Sequence, residues 1–271
     1  LTFTQKANLL RQLHRLLKKR YGAREFHKPI HPVEHAVAAI LWEQATSEQV
    51  EAAMNRLRRA FVDWNEVRVS RPREIREVLG SLPRAASKAE QIPLILHEVF
   101  MQHHSMCWSE FLEKMGKRQM REFFEKIPGL RHYVAATIAR DFAGAHAFPI
   151  DLDLHRVLVR LGILAPEISE PEAQAFMERA VKNAHTYELH ALLKHLAETL
   201  CKSNRPKCSR CPLRAKCPSM VVEKKRKRKA PAKARKVVKK KTAKKAVKKA
   251  AKKKPAPKRK VKKKTSRKKK K

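Results

Sequence analysis

Four of the five cysteines in this 271-residue chain lie within 17 consecutive positions, spaced C-x6-C-x2-C-x5-C. Four thiolates carried on short loops can ligate either a tetrahedral zinc ion or a cubane [4Fe–4S] cluster. A disulfide framework fits less well, because such frameworks belong to small secreted domains. The spacing therefore predicts a metal centre, zinc or iron–sulfur, held by the thiols of Cys201, Cys208, Cys211 and Cys217.

The positive charge of the chain is concentrated at its C-terminal end. Residues 221–271 hold 30 of the 65 Lys and Arg residues but one of the 25 Asp and Glu residues, a net charge of +29. The first 220 residues hold the other 35 basic and 24 acidic residues, a net charge of +11. The basic segment lacks aromatic residues, glycine and any long apolar run, so burial cannot offset the entropy cost of ordering. We expect a folded body, residues 1–220, followed by a disordered polybasic tail, residues 221–271.

Apolar residues in the body recur at the three- and four-residue intervals of amphipathic helices. Clear examples are Leu9–Leu17, Val50–Leu57 and Leu189–Leu200, whereas alternating strand patterns are scarce. The best strand candidate is the short segment Val67–Ser70. The pattern predicts an all-α fold. Since large aromatic residues usually pack, we expect all three tryptophans in the core (Trp42, Trp64 and Trp108).

The sequence also restricts where such a chain can work. Its longest apolar stretch, Ala36–Trp42, is far shorter than the roughly 20 residues that a membrane span needs. No charged and then apolar leader opens the sequence, so we expect the chain not to be secreted. We expect it in the cytoplasm, associated with the nucleoid, or in a nucleus, without a membrane partner.

Four segments upstream of the cysteine loop carry further motifs. They are Leu41–Thr46 (LWEQAT), Ala86–Ile92 (ASKAEQI), Ile127–Ala135 (IPGLRHYVA), and Asp151 with the following Arg156-Val157. In this order they resemble the LLSAQAT, NSKAENI, helix-hairpin-helix LPGVGRKTA and VDTHxxRV motifs of the endonuclease III superfamily of DNA glycosylases. The ligands of that family's [4Fe–4S] cluster share the cysteine spacing above. The resemblance covers about Leu9 to Cys217 and does not include the tail.

The resemblance implies a two-domain helix-hairpin-helix glycosylase fold. Residues 35–145 would form a six-helix barrel that carries the hairpin. Residues 146–220 would form a second domain with the helix of the catalytic Asp and a [4Fe–4S] cluster, and the N-terminal helix, residues 1–34, would pack with it. Double-stranded DNA would cross the groove between the domains. The chain would act as a monomer.

The resemblance also implies roles for individual residues. Asp151 would be the catalytic carboxylate that stabilises positive charge on the sugar, although an Asp before a helix is most often only an N-cap. The backbone of Gly129, Leu130 and Arg131 would clamp a phosphate beside the flipped nucleotide, although an ordinary turn between helices also fits. Gln44 would fill the gap that a flipped base leaves in the duplex, and its alternative is a capping contact at a helix end.

Three departures from the family pattern bear on the chemistry. Tyr133 replaces the lysine whose amine forms a Schiff base, and a phenol cannot form an imine, so we expect a monofunctional glycosylase without strong strand cleavage. Tyr133 would either line the base pocket or pack at the start of its helix. Arg131 replaces the second glycine of the hairpin and would add a phosphate contact. Asp153 replaces a histidine two residues after the catalytic Asp.

The sequence therefore favours a base-excision DNA glycosylase that flips and removes a damaged or mismatched base. The competing interpretation is a DNA-binding protein that keeps the clamp, the cluster and the tail but has lost its catalytic activity. The Lys/Ala/Pro-rich tail resembles those of linker histones, and we expect it to bind nucleic acid without sequence preference. Oxidised pyrimidine, mismatched thymine and adenine opposite oxidised guanine are all open as the excised base.

Overall fold

The computed structural model describes residues 1–220, which fold into twelve α-helices and two short 3₁₀ helices. The predicted all-α fold is confirmed, whereas the predicted disordered tail, residues 221–271, lies outside the described residues. No helix in the described range is long and apolar enough to cross a membrane. The α-helices are α1 (Phe3–Tyr21), α2 (Pro32–Leu41), α3 (Ser47–Ala60), α4 (Trp64–Val69), α5 (Pro72–Leu79), α6 (Ala85–His103), α7 (Trp108–Glu113), α8 (Lys117–Glu125), α9 (His132–Ala143), α10 (Leu152–Arg160), α11 (Glu170–Ala180) and α12 (Asn183–Thr199). The 3₁₀ helices are Cys208–Arg210 and Arg214–Lys216.

The segment Val67–Ser70 is not a strand, because most of it lies in the short helix α4. The Asp63 side chain caps this helix by accepting a hydrogen bond from the Glu66 amide at 2.7 Å. Val67 is buried and Val69 is exposed. In a strand these two valines would lie on the same face, so their different burial follows the helix and not the apolar–polar alternation of the sequence.

Two hydrophobic clusters form the interior of the described chain. The first draws its buried residues from between Val33 and Ile138, on and between helices α2 to α9. The second combines Leu10, Leu13 and Leu17 of α1 with buried residues between Phe148 and Leu213. The N-terminal helix therefore packs on the C-terminal part of the body. Residues 1–220 belong to one compact unit, and the domain boundaries stay a prediction.

Helix α9 and the segment after it lead the chain to the candidate site. Every residue from Tyr133 to Ala139 is buried, and Gly144 ends the helix in the left-handed conformation, with φ +58°. The buried segment Ala147–Ile150 then brings Asp151 to the start of α10. Helix α10 packs on α12. The fold thus places the start of α10 close to α9 and α12.

Candidate active site

Asp151 and Tyr133, the two predicted catalytic residues, line one cleft of about 290 Å³. Trp42 and Tyr187 line the same cleft, so it offers aromatic faces on which a planar base can stack. Trp42 is 36% exposed, and its predicted place in the core is wrong. The prediction is right for Trp108, which is buried in the first hydrophobic cluster.

The carboxylate of Asp151 uses its two oxygens differently. Oδ1 accepts a hydrogen bond from the Leu154 amide at 2.8 Å and so caps α10. Oδ2 forms an ion pair with the ammonium of Lys194. The Asp151 side chain is only 7% exposed. Its capping role and its place in the cleft are therefore compatible, because capping occupies one oxygen and leaves the other for a different partner.

Lys194 is the residue of this cleft that the sequence analysis did not identify. It interrupts the leucine stripe of α12, and a lone lysine on an apolar helix face was the available signal. Its Nζ also lies 3.3 Å from Asp153 Oδ2 and donates to the Trp42 carbonyl at 3.1 Å. Burial lowers the pKa of Lys194, but the Asp151 and Asp153 carboxylates outweigh burial and raise that pKa above its ordinary value. The side chain is therefore an ammonium in the resting protein.

Asp153 connects the cleft with the cysteine loop. Its Oδ1 accepts a hydrogen bond from Arg156 Nη1 at 2.6 Å, and Arg156 Nη2 donates to the Cys201 carbonyl at 3.1 Å. Burial raises the pKa of Asp153, but Lys194 and Arg156 outweigh burial and hold the pKa below its ordinary value. A continuous chain of charged contacts therefore runs from the cleft to the first cysteine of the loop.

Glu198 places a second carboxyl group at the cleft, one turn beyond Lys194 on α12. Burial raises its pKa, while Lys194 and a hydrogen bond from Ser47 oppose that rise. The Ser47 hydroxyl lies 3.4 Å from Glu198 Oε2. The pKa of Glu198 is therefore above its ordinary value, with burial as the main cause.

Side chains from three helices bind the carbonyl groups at the C-terminal end of α2. The Tyr133 hydroxyl on α9 lies 3.1 and 3.2 Å from two of these oxygens, and Lys88 Nζ on α6 donates to two others at 2.7 Å each. Lys194 on α12 binds the fifth. A helix leaves its last carbonyls without partners of its own, so these side chains supply them. The acceptors are the carbonyl oxygens of Ala39, Ile40, Leu41, Trp42 and Glu43.

Burial sets the protonation of both Tyr133 and Lys88. It raises the pKa of Tyr133 well above its ordinary value, and the nearby carboxylates of Glu43 and Asp151 raise it further. It lowers the pKa of Lys88 to about 8, against the opposing effect of Glu43. The Tyr133 phenol therefore stays protonated. Tyr133 lines the cleft and its hydroxyl is packed against α2, whereas its role in a base pocket stays a prediction.

Gln44 lies in the turn that follows α2. It is exposed and has φ +56°, in the left-handed region that non-glycine residues seldom adopt. The preceding Glu43 is 1% exposed and forms an ion pair with Arg84 at 3.0 Å. The turn therefore presents Gln44 to solvent on a backbone that its buried neighbours hold in place. Its predicted insertion into DNA stays a prediction.

The predicted phosphate clamp lies in the turn between α8 and α9. Gly129 is exposed with φ +83°, a conformation that glycine adopts without strain. The Leu130 amide donates to the Ile127 carbonyl at 3.2 Å, and the Arg131 amide donates to Gln91 Oε1 at 3.2 Å. Both amides are thus engaged within the protein. A phosphate bound at the Arg131 amide would replace its bond to Gln91.

The guanidinium of Arg131 is turned toward acidic side chains. It forms an ion pair with the buried Glu43 at 3.1 Å and another with the half-buried Glu170 of α11. Burial raises the pKa of Glu170, while Arg131 lowers it. Two carboxylates therefore already compensate the charge of Arg131, and its predicted phosphate contact requires these ion pairs to open.

The four predicted metal ligands, Cys201, Cys208, Cys211 and Cys217, line one cavity of about 140 Å³. Burial raises the pKa of both Cys211 and Cys217, and the neighbouring thiols raise it further. Arg160 of α10 fixes the start of this loop by donating to two of its backbone carbonyls at 2.8 and 3.0 Å. Within residues 1–220, no three of these four sulfur atoms lie within 4.8 Å of one another.

No protein-family model matches the chain. Endonuclease III of Rickettsia felis is 25% identical over 185 residues, which cover 67% of this chain and 80% of that protein. Endonuclease III of Sulfolobus acidocaldarius is 27% identical over 100 residues, 37% of this chain and 45% of that protein. A solved non-covalent endonuclease III–DNA complex matches the fold with a TM-score of 0.61 at 20% identity, covering 81% of this chain and 96% of that one. The chain is therefore similar in sequence to endonuclease III proteins and shares the fold of the solved endonuclease III complex.

Further relatives differ widely in length from this chain. Protein ROS1A of rice is 24% identical over 173 residues, 58% of this chain but 9% of that protein. The chain therefore spans less than half of two of the curated relatives it matches, ROS1A and the Sulfolobus protein. A thermostable thymine-DNA glycosylase matches with a TM-score of 0.55 at 16% identity, covering 80% of this chain and 97% of that one. Structures this distant in sequence show the shared fold, and the chemistry has to be argued from the cleft.

Proposed function

We propose that the chain is a DNA N-glycosylase that turns a damaged or mismatched base out of the duplex and into the cleft, where the base is released. The observation that supports this most strongly is the place of Asp151, whose carboxylate lies in the wall of a cleft with several aromatic residues. A flipped base needs stacking faces, and cleavage of its bond to the sugar needs a negative group near C1′.

Base release proceeds through a sugar with cationic character. As the N-glycosidic bond breaks, its electron pair leaves with the base, and C1′ becomes electron-poor. The Asp151 carboxylate stabilises that charge and orients a water molecule for attack on C1′. Glu198 lies on the same cleft, where its carboxyl group can contact the departing base.

We propose that the step which releases the base is hydrolytic. Tyr133 occupies the position at which bifunctional relatives carry a nucleophilic amine. Its phenol stays protonated, and its hydroxyl is hydrogen-bonded to carbonyls of α2. It therefore neither displaces the base nor forms an imine with the sugar. Water remains as the nucleophile for this step.

We also propose a [4Fe–4S] cluster as the cofactor of the cysteine loop. Four thiolates can bind the four corners of a cubane, and family members carry such a cluster on the same cysteine pattern. The group would hold the loop together and supply no step of base release.

A panel of lesion duplexes tests this function against its rival. The panel contains an oxidised pyrimidine, a G·T mismatch, and adenine opposite oxidised guanine, each assayed with and without alkali. We expect alkali-labile sites to form in at least one duplex, because alkali cleaves DNA where a base has been lost. Binding to the duplexes without base release from any of them would favour the catalytically inactive DNA-binding protein.

Gln44→Ala should slow base release from fully paired duplexes by about 10-fold, because unstacking a base costs a few kcal/mol and the gap would be left unfilled. The same lesion in single-stranded DNA leaves no gap, so its release should change little. Single-turnover rates on the two substrates measure the difference. Gln102→Ala, at an exposed position of α6 outside the cleft, is the control. An equal loss on both substrates would contradict a role in filling the duplex.

Removal of residues 225–271 should weaken binding to undamaged duplex by about 10²-fold at low salt, because the lost lysines no longer release counterions from DNA. The salt dependence of binding should become shallower. The ranking of lesions in the panel should stay the same, since phosphate contacts do not identify bases. Both hydrophobic clusters lie in the part that is kept. Binding titrations at several salt concentrations give the slope, and a changed ranking would contradict the prediction.

A further inference from the structure

The side chains of His14, His185 and Glu188 meet where α1 packs on α12, outside the cleft described above. His14 lies on α1, while His185 and Glu188 lie three residues apart on α12 and so share one face of that helix. A ring nitrogen from each histidine and a carboxylate oxygen all lie within 4.8 Å of one another. Within residues 1–220, no other three side chains of His, Cys, Asp or Glu bring their ligand atoms so close together. The packing of two helices thus assembles donor atoms that the proposed chemistry does not use.

We infer that these three side chains bind one Zn²⁺ ion, which joins α1 to α12. Two imidazoles and one carboxylate are a recurrent zinc ligand set that leaves the fourth position open. Magnesium and calcium ions take their ligands almost entirely from oxygen atoms, and this group supplies one carboxylate. The inference goes beyond the proposed function, because zinc binding here requires neither DNA nor base release.

The spacing of the three ligand atoms suits tetrahedral coordination. Zinc bonds of about 2.0–2.1 Å to nitrogen and oxygen place two ligand atoms of a tetrahedron about 3.3 Å apart. His14 Nε2 and Glu188 Oε2 are 2.7 Å apart, and no pair in the group is separated by more than 4.8 Å. The rings of His14 and His185 have centroids 5.4 Å apart and are tilted by 60°. Rotation of side chains can therefore bring all three ligand atoms onto one ion while the helices stay in place.

Solvent reaches the group through a cavity of about 950 Å³, lined mainly by α1, α11 and α12. The side chains of His14 and Glu188 are 14% and 13% exposed, whereas His185 is exposed. Two ligands are therefore largely shielded from water. The cavity leaves room for an ion to enter and for a water molecule to occupy the fourth position.

Basic groups compete with a metal ion for Glu188. His14 Nε2 lies 2.7 Å from its Oε2, and Lys18 Nζ lies 2.9 Å from its Oε1. To bind the ion, His14 carries its proton on Nδ1 and turns the lone pair of Nε2 to the metal. Lys18 is 52% exposed and can turn into solvent. The other charged side chains that line the cavity are Arg11, Arg15, Glu178, Arg179 and Lys182. Their net positive charge should make this site weaker than one built from thiolates.

Zinc binding by the full chain tests the inference. Equilibrium dialysis against Zn²⁺ should give one bound ion more for the wild type than for His185→Ala. The cysteine loop is intact in both proteins, so any zinc that it takes cancels in the difference. His97→Ala, at an exposed position of α6 outside the cavity, is the matched control and should bind as much zinc as the wild type. Equal zinc in the wild type and His185→Ala would overturn the inference.

Thermal unfolding shows whether the ion joins the two helices. Zinc at 100 times its Kd should raise the Tm of the wild type by about 5–10 °C, because it binds the folded chain and not the unfolded one. The Tm of His185→Ala should rise less by that amount. Since His185 is exposed, its replacement should leave the zinc-free Tm nearly unchanged. The same zinc-dependent rise in both proteins would contradict the site.

Lys18→Ala tests the position of the ion at Glu188. Loss of the competing ammonium should tighten zinc binding about two- to fivefold, the range expected for an exposed ion pair. Lys19→Ala, at the next exposed residue of α1 and outside the cavity, should leave the affinity unchanged. Equal affinities of Lys18→Ala and Lys19→Ala would contradict coordination by Glu188.

The zinc site and the proposed function fail independently. His185 lies outside the cleft, so His185→Ala should release bases in the lesion panel at the wild-type rate. A chain that releases a base but binds no additional zinc keeps the proposed function and loses the site. A chain that binds the ion through His185 but releases no base keeps the site and loses the glycosylase.

Discussion

Asp151→Asn should abolish base release and leave DNA binding nearly unchanged. The substitution removes the negative charge that stabilises the sugar, but the amide oxygen can still accept the Leu154 hydrogen bond that caps α10. A carboxylate acting as a base and charge stabiliser contributes about 10²–10⁴-fold. We therefore expect single-turnover base release to fall by about 10³-fold or more, while the Kd for the lesion duplex changes by less than about threefold.

A matched control separates the chemistry from the helix cap. Asp63 caps α4 in the same way as Asp151 caps α10, but it does not line the cleft. Asp63→Asn should therefore release the base at the wild-type rate. Full activity of Asp151→Asn would refute the proposed role of the carboxylate.

Cys211→Ser should prevent binding of the proposed [4Fe–4S] group. It should also destabilise the second hydrophobic cluster of the protein. The wild-type chain is expected to show broad visible absorption and to hold about four iron atoms, and the variant should lose both. Cys211 packs against that hydrophobic cluster, and structural metal centres contribute several kcal/mol to folding. At roughly 2–4 °C per kcal/mol for a chain of this size, we expect the Tm to fall by about 10 °C or more.

Cys107→Ser is the matched control for this loss. Cys107 is the fifth cysteine, exposed and distant in sequence from the loop. Its replacement should leave iron content, absorption and Tm unchanged. Stoichiometric zinc without iron in the wild-type protein would contradict the proposed cluster, and metal analysis of the purified chain decides between the two.

Much of the fold followed from local patterns in the sequence. Apolar stripes predict α1, α3 and α12 because apolar side chains at helical spacing must be buried together. The strand expected at Val67–Ser70 failed because four residues of apolar–polar alternation are too few to separate a strand from a short helix. Helix caps decide such cases, and Asp63 supplied the cap.

The cleft was only half predictable. Asp151 and Tyr133 stand in recognisable motifs, so their shared cleft could be expected. Lys194 lies 43 residues after Asp151 in sequence, and only the tertiary packing of α10 on α12 brings the two together. The sequence could not predict the ion pairs of Arg131 either, because its partners Glu43 and Glu170 come from two distant segments.

Side chains from three helices hold the C-terminal end of α2, and this bears on how Gln44 would enter a DNA duplex. Tyr133, Lys88 and Lys194 reach it from three separate helices, and the left-handed backbone conformation of Gln44 is already present in the folded protein. The proposed insertion of Gln44 into DNA would then require little further loss of conformational freedom in the protein. The backbone at Gln44 should therefore change little on binding. Most of the free-energy cost of opening the base pair should come from deforming the DNA.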